Sequence, residues 1–105
     1  MNRPVQDIKS LIRRQIKQID PAAEIILYGS RARGDQRADS DWDLLVLTDY
    51  PVDLNKENEF RDHLYDLQIE TGESFSIFVY YKKDWNTKQR ISPFYHNVNK
   101  EGVWL

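Results

Sequence analysis

A chain of 105 residues, 40% apolar, 12% aromatic and 30% charged, suffices for a single compact domain but not for two independent cores, and this composition excludes a disordered or low-complexity polypeptide. With no cysteine, disulfides, thiolate zinc sites and cysteine nucleophiles are excluded, so any metal must be held by oxygen or histidine. A formal net charge of -2 leaves no overall basic excess for a nucleic-acid backbone, which argues against long nucleic acid as the main substrate, although Arg13, Arg14, Lys17, Arg31, Arg33 and Arg37 could make a local basic patch.

Apolar residues Val5, Ile8, Leu11, Ile12, Ile16 and Ile19 recur at steps of three and four, which predicts an amphipathic helix over Val5 to Ile19. Pro4 suits its first turn, and Asp20-Pro21 ends it. A strand is expected from Glu24 to Tyr28, stopping at Gly29. Ser30 to Gly34 reads as a turn leading into a short helix, with Gly34-Asp35 as its exit. The apolar run from Trp42 to Thr48 is a second strand. Phe60, Leu64 and Leu67 lie at helical spacing within Leu54 to Thr71, with Asn55 available as the amino-terminal cap and Thr71-Gly72-Glu73 as the stop. Phe75 to Tyr81 is rich in aromatic and β-branched residues and reads as a third strand. Lys83 to Leu105 should hold one or two short helices, Pro93 near the start of the last and Gly102 just beyond its end. The order α-β-α-β-α-β-α predicts an α/β (α+β) domain, a small mixed sheet flanked by helices.

No apolar run approaches the roughly 18 residues needed to span a bilayer, and the start MNRPVQDIKS lacks the apolar stretch of a signal peptide; the expectation is a cytoplasmic protein without a membrane partner.

The chemistry concentrates in Gly29 to Asp43, GSRARGDQRADSDWD. In a strand beginning near Trp42, side chains alternate between faces, so Asp41 and Asp43 project from one face and can share a cation. Magnesium suits that pair, since it is commonly held by one or two carboxylates with water and phosphate completing its shell. Aspartates at a strand start are often only solvated, Gly-Ser is an ordinary turn, and Arg31 and Arg33 could merely pair with Asp35 and Asp39. Trp42 on the opposite face is core. His63 and His96 lack metal-ligand spacing, and Phe75, Phe78, Tyr80, Tyr81 and Trp85 could stack on a base, but aromatic strands are usually core.

An apolar strand, Gly29-Ser30, ten residues, then Asp41-x-Asp43 and another apolar strand resembles the minimal nucleotidyltransferases of the DNA polymerase β-like superfamily. The closing Asn99-Lys100-Glu101-Gly102-Val103 extends the likeness. The resemblance implies a palm-like nucleotidyltransferase fold over a single domain, residues 1–105, in which Gly29 and Ser30 hold the nucleotide phosphates, Arg31 and Arg33 add charge to them, and Asp41 and Asp43 bind Mg²⁺ and carry the catalysis. It implies transfer of a nucleoside monophosphate, AMP from ATP, to an acceptor hydroxyl. The implied acceptor is a partner protein such as a HEPN-domain toxin, for which this chain would be the antitoxin. Active members commonly carry a third carboxylate on the next strand, where this chain has Ser76, with Glu70 or Glu73 as candidate substitutes. Two alternatives therefore stay open: a catalytically degenerate Mg-nucleotide-binding subunit or sensor, and an aminoglycoside-type small-molecule transferase, which would need a homo-oligomer to complete its acceptor pocket.

Overall fold

The computed structural model describes residues 5–105; Pro4, read above as part of the first helical turn, lies outside the described residues. Among the described residues the elements run α1 (Val5–Ile19), β1 (Glu24–Tyr28), α2 (Ser30–Arg33), β2 (Trp42–Thr48), α3 (Leu54–Thr71), β3 (Phe75–Tyr81), α4 (Lys82–Thr87), α5 (Pro93–Glu101) and β4 (Val103–Trp104). The strands form one mixed sheet in the order β3-β2-β1-β4, with β2 parallel to β3 and both other pairings antiparallel. A parallel pair needs a long crossover, and α3 supplies it.

Alternation along the strands gives each sheet face its own core. Ile25, Leu27, Trp42, Leu44, Val46 and Ile77 point to one face, where they meet Ile8, Ile12 and Ile16 of α1 and Phe60, Leu64 and Leu67 of α3. Ile26, Leu45 and Leu47 point to the other and pack on Trp85 of α4 and Val98 of α5. Covered on both sides, β1 and β2 are nearly continuous apolar runs rather than alternating ones. Trp85 is the hub of the second layer, its ring centroid 5.4 Å from Tyr80, 5.4 Å from Phe94 and 5.1 Å from Tyr95. Tyr80 and Trp85 are thus packing residues, whereas Phe78 lies 44% exposed at the sheet edge.

Two expectations need correction. The cap of α3 is Asp53, not Asn55: Asp53 keeps extended backbone and its Oδ1 accepts from Lys56 N at 2.8 Å, while Asn55 already lies inside the helix. The tail also holds more than the predicted order, since α4 and α5 are followed by β4, in which Val103 and Trp104 pair with Leu27 and Ile26. A two-residue strand carries no periodicity of its own, and its partner lies far away in the chain. The anticipated boundaries of α1, β1, β2, α3 and β3 coincide with those observed.

Candidate functional site

The site forms where β1 ends and β2 begins, because antiparallel pairing sets Tyr28 directly across from Asp43 and so lays the turn after β1 against the start of β2. Gly29 continues the chain at φ 76°, a backbone state that favours glycine. Its missing side chain matters equally, since a Cβ there would overlap Oδ2 of Asp43. Turn and carboxylate are therefore in direct contact. The following residues form the short helix α2, ended by Gly34 in left-handed conformation. Ala32 and Arg33 donate their amides to Gly29 O, at 3.0 Å each, while the amides of Ser30 and Arg31 stand at the helix start, where no intrahelical acceptor can reach them.

Asp41 is exposed immediately before β2, and Asp43 is partly buried as its second residue, on the face carrying α4 and α5. Burial, and next the charge of Asp41, hold the Asp43 carboxyl above the usual aspartate range; Arg33 opposes this and Glu101 adds to it. Such a pair is incompletely neutralised by the protein and has the hard oxygen donors that a divalent cation prefers. The donor chemistry of Asp41 and Asp43 would thus suit a divalent cation such as Mg²⁺. No group of three or more histidine or acidic residues suited to a metal occurs among the described residues, so neither Glu70 nor Glu73 completes a triad. Ser76 stands beside Asp43 in the parallel register and lines a cleft of about 550 Å³ between α3 and the edge strand, together with Arg61, Tyr65, Gln68 and Phe78.

The two arginines diverge. Arg33 stays at the site, with Nη1 2.9 Å from Glu101 Oε2 and Nε 3.2 Å from Asp35 Oδ2. Arg31 turns away: its Nη2 donates to Ser40 O at 3.0 Å and its guanidinium carbon lies 4.7 Å from the centre of the Trp42 ring. Glu73 Oε2 completes that cluster by accepting from Trp42 Nε1 at 3.2 Å, with Arg31 Nη2 at 3.5 Å. Arg31 and Glu73 thereby fix the loop that delivers Asp41, on the sheet face opposite Asp43. His63 bonds Gln15 through Nδ1, and His96 lies exposed beside Tyr95.

Two site residues escaped the sequence reading. Glu101 Oε1 accepts from Gly29 N at 3.0 Å, bringing the end of α5 onto the turn across 72 positions of chain, a contact with no local signal. Tyr28 does have one, as the last strand residue before Gly29 and across from Asp43. Its phenol is pushed up to about 12 by burial first and then by Asp43, Tyr80 and Glu101, so it remains a neutral donor at physiological pH.

A family model described as a nucleotidyltransferase domain matches residues 9–97. No curated protein sequence matches. Among solved structures, a chain from a crystal structure of a toxin–antitoxin with AMP-PNP superposes with a TM-score of 0.68 at 18% identity, over 91% of this chain and 70% of that one. A chain from a mutant of the toxin–antitoxin pair MntA-HpeT gives 0.59 at 19% identity, over 94% of this chain and 69% of that one. At these identities the likeness concerns the fold.

Proposed function

From the premise that this chain belongs to the nucleotidyltransferase domain family, we propose that it transfers a nucleoside monophosphate from a nucleoside triphosphate, ATP, to an acceptor hydroxyl on a partner protein. The observation that carries this reading is the contact between the Gly29-Ser30 turn and Asp43, which supports a phosphate role for the turn and a metal role for the carboxylate beside it. The Ser30 hydroxyl and the amides of Ser30 and Arg31 donate to phosphate oxygens, and Arg33 supplies the cationic charge. Arg31 contributes its amide, while its guanidinium holds the 38–40 loop so that Asp41 stays beside Asp43. Mg²⁺ held by Asp41 and Asp43 would neutralise phosphate charge and stabilise departing pyrophosphate. The acceptor oxygen bonds to the α-phosphorus as the bond to the bridging oxygen breaks, pyrophosphate leaves, and the hydroxyl proton passes to water, because uncharged Ser76 offers no base beside Asp43.

The acceptor is proposed to be a toxin, for which this chain is the antitoxin, and the fold likeness to chains of toxin–antitoxin crystal structures supports such a pairing; that the toxin is of HEPN type follows from the family resemblance. Incubation with α-labelled ATP, Mg²⁺ and the protein encoded beside it should label that protein. Absence of label, with an active relative as positive control, rejects the transfer reading. Ser76 beside Asp43 favours a second reading, a Mg-nucleotide-binding subunit that does not turn over. In that case calorimetry detects AMP-PNP binding that Asp41→Asn with Asp43→Asn abolishes, while label transfer stays at background.

A further inference from the structure

Glu101 occupies donors that face the proposed phosphate position. One oxygen accepts from the Gly29 amide at 3.0 Å and the other from Arg33 Nη1 at 2.9 Å, so a carboxylate sits on the turn as an anionic ligand built into the chain. Arg33 is also shared with Asp35 at 3.2 Å, so two carboxylates already neutralise this one guanidinium. Arg31 adds no free charge, because its guanidinium is committed to Ser40, Ala38, Glu73 and the Trp42 ring. At the turn Asp35 and Glu101 bond Arg33, which also acts on Asp43, and the charge of Asp41 adds to that of Asp43, a balance that repels a bare phosphate chain. We infer that Glu101 is a specificity-determining residue: by holding the Gly29 amide and Arg33, it makes the turn accept a phosphate chain only when a divalent cation accompanies it.

This rests on the phosphate-and-metal reading of the turn, and titration with inorganic tripolyphosphate separates the two. The wild-type chain should bind tripolyphosphate weakly in EDTA and far more tightly in Mg²⁺. Glu101→Gln retains an oxygen able to accept from Gly29 N–H but lifts the charge from Arg33. It should raise metal-free affinity roughly tenfold, the scale of removing one like charge at contact range in a partly solvated site, and shrink the ratio between the Mg²⁺ and EDTA affinities. Glu101→Ala, which frees both donors, should move that ratio at least as far, with circular dichroism confirming that both variants remain folded. Unchanged or weaker metal-free binding in the folded variants, with Mg²⁺-dependent binding intact in the wild type, overturns the inference and leaves Glu101 as a structural brace. If instead the wild type binds no tripolyphosphate in Mg²⁺ and Asp43→Asn changes nothing, the phosphate-site reading fails and the inference falls with it.

Discussion

Gly29 and Asp43 show how closely single residues constrain this site. Gly29→Ala imposes both a side chain at positive φ and an overlap with Asp43 Oδ2, so it should cost about 1–3 kcal/mol of stability in urea unfolding and eliminate Mg²⁺-dependent AMP-PNP binding. Ala at Gly34, also at positive φ but with nothing within 4 Å of the added carbon, should share the backbone cost while retaining binding. Asp43 has the opposite stability profile. Its folded carboxyl titrates above the ordinary aspartate range, so the folded, metal-free chain holds that proton more tightly than the unfolded one. The associated stability is complete below the ordinary range and is lost as pH rises through it to the raised folded value. Asp43→Asn should therefore raise the melting temperature of the metal-free protein at neutral pH and remove the stabilisation that Mg²⁺ gives the wild type. A wild-type melting temperature equal to or above that of the variant in EDTA contradicts this account. Metal affinity should weaken on acidification at a higher pH than an ordinary aspartate pair would give, measurable by Mg²⁺ titration across the acidic range.

At the scale of elements, helix ends and strand alternation account for most of what orients the site. The α3 cap is the sharpest case, because two neighbouring candidates differ in backbone state. Asp53→Ala should destabilise the protein by about 1 kcal/mol, through loss of the bond to Lys56 N, whereas Asn55→Ala should lie within about 0.5 kcal/mol of wild type. Denaturant midpoints with unchanged m-values would decide between them. Similar local chemistry starts α5, where Ser92 accepts from Tyr95 N at 3.1 Å and Pro93 occupies the first turn. That start sets the helix so that its last residue, Glu101, reaches Gly29.

For the molecule as a whole, the two helical layers have different duties. The α1–α3 layer closes the larger core, and the α4–α5 layer carries Glu101 and packs Phe94 against Tyr28, ring centroids 5.3 Å apart. Phe60→Ala and Trp85→Ala each remove a buried aromatic ring and should each cost about 3–5 kcal/mol. Their effects on binding should differ: at low temperature, where both remain folded, Phe60→Ala should leave AMP-PNP affinity close to wild type, while Trp85→Ala should weaken it severalfold by loosening α5 from the turn. Equal losses in the two variants would show that the layers do not act separately.

Local pattern was sufficient wherever the information lies within a few residues. The three-and-four spacing of Ile8, Ile12 and Ile16, the apolar runs of β1 and β2 and Gly29 at the strand exit are all readable from the chain, because helix and strand periods are properties of the backbone itself. Tertiary structure alone decided the strand order β3-β2-β1-β4, the pairing of β4 with β1, the register that sets Ser76 beside Asp43, and the parting of Arg31 from Arg33. It alone brought Glu101 to Gly29. Each of these depends on which distant segments share a sheet edge or a core, and that choice is made by the burial of both sheet faces together rather than by any short stretch of sequence.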